Sequence, residues 1–273
     1  QIRTATLTEQ NIELLEGYVN RTYDPVKYNG CIPPKLYPTR AKADYLNKLM
    51  FAKLVGKEYD FECIKKTACK TFIEANTPLS VANLEKGKEL STNEIEYEIS
   101  QLMNTSSFQE TLCLKVGAIV MCTVNLDMDN GICNGSQGIV TDFVDIGKGE
   151  NPVVKFANGV EKTLLPHYKQ SEDYPTIAVG QIPLCLSWAM TIHKIQGATL
   201  PMASIDVGGQ IFECGQTYVA LSRVESLDGL YLTAFHAHKI RANDRVIEFY
   251  RGLPKQEYIM NDKENPFAQY KYE

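Results

Sequence analysis

The 273 residues carry 28 Lys plus Arg against 33 Asp plus Glu, a formal charge of −5 with a pI near 5.5, which excludes a generic basic binder of polyanions. Hydrophobic residues at 44% and charged residues at 22% exclude the disordered class. No apolar run approaches the roughly 18 residues of a membrane span, so a soluble protein is expected, built as one large domain or as one carrying a smaller insert. Residue 1 is Gln, which suggests a piece of something longer.

In chain order, residues 7–21 place Ile12, Leu14, Leu15 and Val19 on a helical stripe opened by Thr8 as its cap. Residues 35–54 read as a short strand, KLYPT, followed by a helix with Ala43, Leu46, Leu49, Met50 and Leu54 on its buried side, the strand–loop–helix unit of an α/β fold. Residues 76–108 turn polar and predict a surface excursion with a helix from Ile95 to Met103. The period then changes: GAIVMCTV, GIVTDFV, PVVKFA and VEKTLL are short β-rich runs separated by turn signals at 129–131, Asn134-Gly135, 147–149 and Asn158-Gly159, and they predict a small antiparallel barrel or sandwich. After Pro175 the α/β pattern returns, with TIAVGQIPLCLSWAM as a buried strand, ASIDV and GLYLTAF as two more, and helices over 212–224 and 243–252. Such a sheet is parallel and carries its ligand at the carboxyl ends of its strands. The eight cysteines include no C-x-x-C and do not interleave with histidine at zinc spacing, which predicts reduced thiols in an intracellular protein and no metal site.

No G-x-x-x-x-G-K-[ST] loop occurs; Gly56-Lys57-Glu58 and Gly87-Lys88-Glu89 lack both the earlier glycine and the hydroxyl for magnesium. Two other segments carry the chemistry. TIHKIQGAT (191–199) follows a strand and offers a hydroxyl, an imidazole and a cation from Thr191, His193 and Lys194, all donors suited to phosphate oxygens. Gln196 adds an amide, and Gly197 permits close backbone approach; ordinary capping of a helix start is the competing reading. GQTYVALSRV (215–224) sets Tyr218, Ala220, Leu221 and Val224 on an apolar face broken by Ser222 and Arg223. Arginine there is either a solvated or salt-bridged residue or a fork for phosphate.

LSWAMTIHKIQGATL followed by GQTYVALSRVESLDGLYL resembles motifs V and VI of superfamily-one helicases of the Pif-type branch, related to RecD-like enzymes. KLYPTRAKADYLN (35–47) resembles motif IV, LKVGAIVMCTVNLDMDNGICNGSQGIVTDF (114–143) resembles the start of the family's inserted barrel, and the similarity runs on through VIEFY at 246–250. It covers most of residues 35–250 with the motifs in family order.

The resemblance implies an α/β second RecA-like domain with a parallel sheet and an inserted Src-homology-3-like β-barrel. It divides the chain into 1–114, the barrel at 115–178, the rest of the RecA-like domain at 179–253, and a tail at 254–273. It further implies an ATP-dependent DNA helicase stepping 5′ to 3′ on single-stranded and forked duplex DNA. The Walker loop and magnesium carboxylates would lie in an N-terminal RecA-like domain before Gln1, so ATP and Mg2+ are shared with that domain. Arg223 takes the place of the arginine finger. Gln196, Gly197 and Arg40 take nucleotide positions, and Thr39, Thr191, His193, Lys194 and Asn134 face DNA. Asn134-Gly135 reads equally as a plain hairpin turn, and Trp188 as core rather than a base-stacking platform. Thr199 stands where several branches have a glutamate that touches the nucleotide sugar. A noncatalytic DNA-binding or docking module and the helicase part of a Helitron-like transposase are the competing functions; a nucleus or a viral replication site is the implied location.

Overall fold

The computed structural model describes residues 2–67, 90–106, 108–147, 149–209 and 211–253. The 76–89 part of the expected polar excursion, Cys69, the Gly87-Lys88-Glu89 fragment and the 254–273 tail lie outside the described residues.

In chain order the elements are α1 (Glu9–Glu16), β1 (Lys35–Tyr37), α2 (Arg40–Lys53), β2 (Tyr59–Glu62), β3 (Ile64–Lys66), α3 (Thr92–Thr105), β4 (Thr111–Leu114), β5 (Ile119–Cys122), β6 (Gln137–Asp145) and β7 (Glu150–Phe156). They continue as β8 (Glu161–Thr163), β9 (His167–Gln170), β10 (Ala178–Gln181), β11 (Leu184–Leu186), β12 (Ala189–Thr191), β13 (Ala203–Val207), α4 (Gln216–Leu221), β14 (Leu230–Phe235) and α5 (Asp244–Gly252).

Local chemistry sets the helix starts. Thr8 caps α1 by accepting the Asn11 amide at 3.3 Å while the Asn11 side chain accepts the Thr8 amide, and Ser91 caps α3 in the same reciprocal way with Glu94. Those hydrogen bonds to Ser91 hold the Glu94 carboxyl below its ordinary pKa. The Ser91 cap also explains why α3 begins before the expected Ile95. On α2, Ala43 is buried as expected, whereas Leu49 is 40% exposed; the buried stripe of this helix is narrower than its leucines suggest.

Four strands form the parallel sheet, in the order β12-β1-β13-β14. Lys35 pairs with both Ala189 and Ser204, so β1 sits inside the sheet between two strands far away in sequence. Leu36, Ile205, Leu232 and Leu200 pack beneath it in one core. A five-stranded antiparallel sheet, β11-β5-β6-β7-β8, closes over a second core of Val140, Val154, Phe156 and Ile119, with Trp188 packed among them. The turns expected at 147–149 and Asn158-Gly159 do join consecutive strands here: Asp145 Oδ1 accepts the Gly147 and Gly149 amides at 2.7 and 3.2 Å. A small sheet, β3-β10-β9, packs Val179 against Leu102 of α3, and β2 pairs with β4.

One expectation needs correction. TIAVGQIPLCLSWAM is three strands: β10, β11 and β12 each belong to a different sheet. The first break follows from Gln181, whose side chain turns back to the carbonyls of Phe61 and Gln109 and to the Ile182 amide, and from Pro183, which has no amide to give a ladder; the second falls at Ser187 and Trp188. The segment is buried almost throughout, so its hydrophobicity does not register the switches. Among the described residues no helix is long and apolar enough to cross a membrane.

Candidate functional site at the carboxyl ends of the parallel strands

Beyond β12 the chain makes a series of turns over 192–197, not the start of a helix. Thr191 organises the first turn: its Oγ1 and its carbonyl both accept the Lys194 amide, at 3.2 and 3.1 Å. Ile192 and Ile195, 2% and 1% exposed, plug into the core under the sheet. With those two side chains anchored inward, His193, Lys194, Gln196 and Gly197 are left exposed on the outer side. Gly197 sits at φ +87°, a left-handed conformation that glycine adopts freely.

The 215–224 segment is a shorter helix than expected, α4 being six residues, and it starts from Gly215 at φ +79°. Its end is tied directly to the 191–199 turn. The Leu200 amide donates to the Arg223 carbonyl at 2.8 Å, and the Glu225 amide donates to the Leu200 carbonyl at 3.0 Å. The Arg223 side chain is half-buried along the same seam: Nε donates to the Val219 carbonyl at 3.1 Å, Nη1 to the Ala198 carbonyl at 3.4 Å and Nη2 to Ser222 Oγ at 3.1 Å. The guanidinium thus bridges the two segments that the sequence singled out, and its planar fork is held without a carboxylate partner among these contacts.

The antiparallel part reaches the same place. A Cβ added to Gly135 would stand 2.3 Å from the Thr199 carbonyl oxygen and 3.2 Å from Ala198 Cβ, so the Asn134-Gly135 turn lies backbone against backbone on the 198–199 stretch. Gly135 is at φ +101°, and its amide donates to the Cys122 carbonyl; the Asn134 amide donates to Asn125 Oδ1. This turn is therefore more than a hairpin connection. A cavity of about 110 Å³ is lined by Asn134, Lys194, Gln196, Cys122 and Cys185.

A second cavity, about 230 Å³, is lined by Arg40, Lys48 and Asn47 from α2 and by Thr191 and Lys194 from the end of β12. Lys194 thus borders both spaces. Arg40 stands with Thr191 and Lys194, while Gln196 lies on the other side with Asn134. Thr39 is the exposed N-cap residue of α2 and makes no side-chain capping bond, and Arg40 is 89% exposed with Asp44 3.8 Å away. Trp188 is 4% exposed within the antiparallel core, as expected of a packing residue.

Three features of this site go beyond the motif residues, two of them without any signal in the sequence. Asn47 hydrogen-bonds the backbone of Ala189 twice, the Ala198 carbonyl receives Arg223, and Ser222 orients the guanidinium; only Ser222 stood out beforehand, and then as a break in an apolar face. A larger cavity, about 750 Å³, lies between the N-terminal residues and α4 and reaches Ser222; it is mainly apolar, with Arg3 4.7 Å from the Tyr218 ring centre. Among the described residues, the three-residue group able to hold a metal is Glu58, just before β2, with Asp60 and Cys113, which pair across β2 and β4; none of the three lines either cavity. The donor set at the junction, the exposed cations Arg40, Lys48 and Lys194 with the Gln196 amide and the Thr191 hydroxyl beside the Arg223 guanidinium, fits phosphate oxygens; Asp44 is the single carboxylate lining it, which leaves no carboxylate pair for magnesium there.

Residues 101–143 match the family model for the DNA helicase Pif1 2B domain. The chain is 41% identical over 165 residues to the ATP-dependent DNA helicase PIF6 of Trypanosoma brucei brucei, covering 58% of this chain and 21% of that protein. It is 35% identical over 254 residues to the human ATP-dependent DNA helicase PIF1, covering 87% of this chain and 34% of that one. The crystal structure of Bacteroides sp Pif1 in complex with ADP-AlF4 superposes with a TM-score of 0.63 at 25% identity, over 92% of this chain and 51% of the other. The chain spans about a fifth to a third of the length of these curated relatives. Sequence identity over most of the chain and the fold agree: the chain is similar to DNA helicases of the Pif1 type.

Proposed function

We propose that this chain is the C-terminal motor half of an ATP-dependent 5′-to-3′ DNA helicase. In this reading the parallel sheet with α2 and α4 is the second RecA-like domain, and the antiparallel part, centred on 115–178, is an inserted Src-homology-3-like barrel. A preceding RecA-like domain would supply the Walker loop and the magnesium ligands. The lengths of the relatives and the absence of a phosphate loop in these 273 residues both support that division.

The observation that carries the reading is the Arg223 guanidinium hydrogen-bonded to the Ala198 carbonyl. One side chain there links a phosphate-seeking fork to the turn that bears the DNA-facing donors. With ATP between the two domains, the nucleotide supplies the γ-phosphoryl group whose cleavage drives the cycle. Arg223 would turn from Ala198 toward that phosphate and balance the charge that develops on it, an effect worth roughly 10³ to 10⁵ in rate. Gln196 and Gly197 would border the same phosphate. Thr39, Thr191, His193 and Lys194 would hold the backbone of single-stranded or forked DNA without reading bases, with Asn134 beside them. Arg40, implied for the nucleotide by resemblance, shares a cavity with Thr191 and Lys194, which supports a place for it on the DNA side.

The test is direct. The 273-residue chain alone should hydrolyse no ATP above background and should bind a fluorescein-labelled oligothymidylate weakly and with steep salt dependence. Replacing His193 and Lys194 together by Ala should weaken that binding more than it weakens nucleotide binding in the complete protein. Robust turnover by the chain alone, or the reverse ordering in the double variant, contradicts the reading.

A further inference from the structure

We propose that Asn47 is a positioning residue that sets the spacing of the DNA-facing cations by acting as a one-residue extra strand on the edge of the parallel sheet. β12 is the outer strand of that sheet. Its inner ladder uses every second residue: Lys35 donates its amide to the Trp188 carbonyl at 2.9 Å, and the Ile192 amide donates to the Tyr37 carbonyl at 2.9 Å. Alternation along a parallel ladder therefore turns the amide and carbonyl of Ala189 away from β1, to the open edge. Ala189 is 1% exposed, so water does not satisfy these two groups. Asn47 satisfies both. Its Nδ2 donates to the Ala189 carbonyl at 2.8 Å, and its Oδ1 accepts the Ala189 amide at 2.9 Å. Among side chains the carboxamide is the one that presents a donor and an acceptor with the geometry of a peptide group.

The consequence lies two residues further along β12 and two turns back along α2. Arg40 and Lys48 come from the helix that bears Asn47, Thr191 and Lys194 come from the end of the strand it holds, and all of them line one cavity of about 230 Å³. The helix and the strand end are joined at that cavity by the Asn47 pair of bonds. The pin fixes how far the α2 cations stand from Lys194, and so which spacing of backbone phosphates the surface accepts. Its effect on DNA rests on the function proposed above; the pin itself rests on the hydrogen bonds alone.

The experiment replaces Asn47 by Leu, which keeps the size, and by Ala as a second variant, in the whole chain, with Lys194→Ala as the control for a true phosphate contact. Amide hydrogen exchange is read at Ala189 and at the inner-strand residues Leu36 and Ile205, and binding of fluorescein-labelled oligothymidylate is read as a function of salt. In both Asn47 variants, exchange at Ala189 should rise about tenfold or more while Leu36 and Ile205 stay protected. Oligothymidylate binding should weaken about tenfold. The slope of log affinity against log salt should be unchanged, because no phosphate contact is removed, whereas Lys194→Ala should lower it by about 0.7. Unchanged exchange at Ala189 overturns the pin. Accelerated exchange with parental binding overturns its positioning role, and a lowered slope shows that Asn47 touches phosphate itself and overturns it as well. If the parent chain fails to bind the oligonucleotide, the DNA reading is what fails, and the Ala189 exchange still decides the pin.

Discussion

The parallel sheet and the antiparallel sheet bury cores of similar kind but are assembled by opposite rules. In the antiparallel region β5, β6, β7 and β8 pair in sequence order, each with the next, across short turns after β6 and β7 and a longer connection, 123–136, after β5. In the parallel region Lys35 meets Ala189 and Ser204, more than 150 residues on. The first region is mostly a local scaffold, with β11 alone returning from far along the chain to pair with β5. The second brings distant loops to one edge, and the exposed donors gather there: Lys194, Gln196, Arg40 and, half-buried, Arg223. The two regions touch the same seam through Gly135, which lies on Thr199, so the antiparallel scaffold abuts the loops proposed above to carry the chemistry.

Substitutions separate the two roles. Phe156→Ala, in the middle of the antiparallel core and 0% exposed, should cost about 3 to 5 kcal/mol by urea unfolding. Gly135→Ala should come next, at about 2 to 3 kcal/mol, because the new Cβ would stand 2.3 Å from the Thr199 oxygen in a left-handed backbone. It should also weaken oligothymidylate binding, which Phe156→Ala should leave intact at temperatures where the chain is folded. Gly147→Ala is the matched control, at φ +89° with nothing within 4 Å of the new atom, and should cost about 1 kcal/mol without touching DNA binding. Equal effects at the two glycines would break the link between that contact and DNA binding.

Acidity gives a finer probe. Burial pushes the Cys31 thiol, between the two regions, up to about 11 from 9.0. Hydrogen bonding to Asp60, with burial second, pushes Cys113 up to about 11 as well. Both thiols hold their protons more tightly folded than unfolded, so stability is full below pH 9.0 and falls as pH rises from 9.0 to about 11. Cys31→Ala should flatten part of that fall in urea titrations over this range, and Asp60→Asn should speed the reaction of Cys113 with a thiol reagent at pH 9.

What could be read from sequence follows the same division. The hairpins announced themselves, since Asn158-Gly159 and the 147–149 glycines have few other uses between alternating runs, and Thr8 announced α1. The motif residues were legible as types and in order. Their convergence was not: Gln181 and Pro183 interrupt the run, but nothing in 176–192 marks two changes of sheet, because nearly all of that segment is buried, and nothing in LNK marks Asn47 as the partner of Ala189. Long-range register is set by crossovers, and a single sequence does not print it. Leu49 errs the other way, a leucine at a core-facing period that packing leaves 40% exposed.

The most direct test of the account is ATP hydrolysis by the complete protein carrying Arg223→Ala, stimulated by oligothymidylate and measured beside oligothymidylate affinity. Hydrolysis should fall about 10³-fold or more while affinity changes by less than about twofold. Parallel loss of hydrolysis and affinity would show that Arg223 serves only to tie Ala198 to Val219, and would contradict the account.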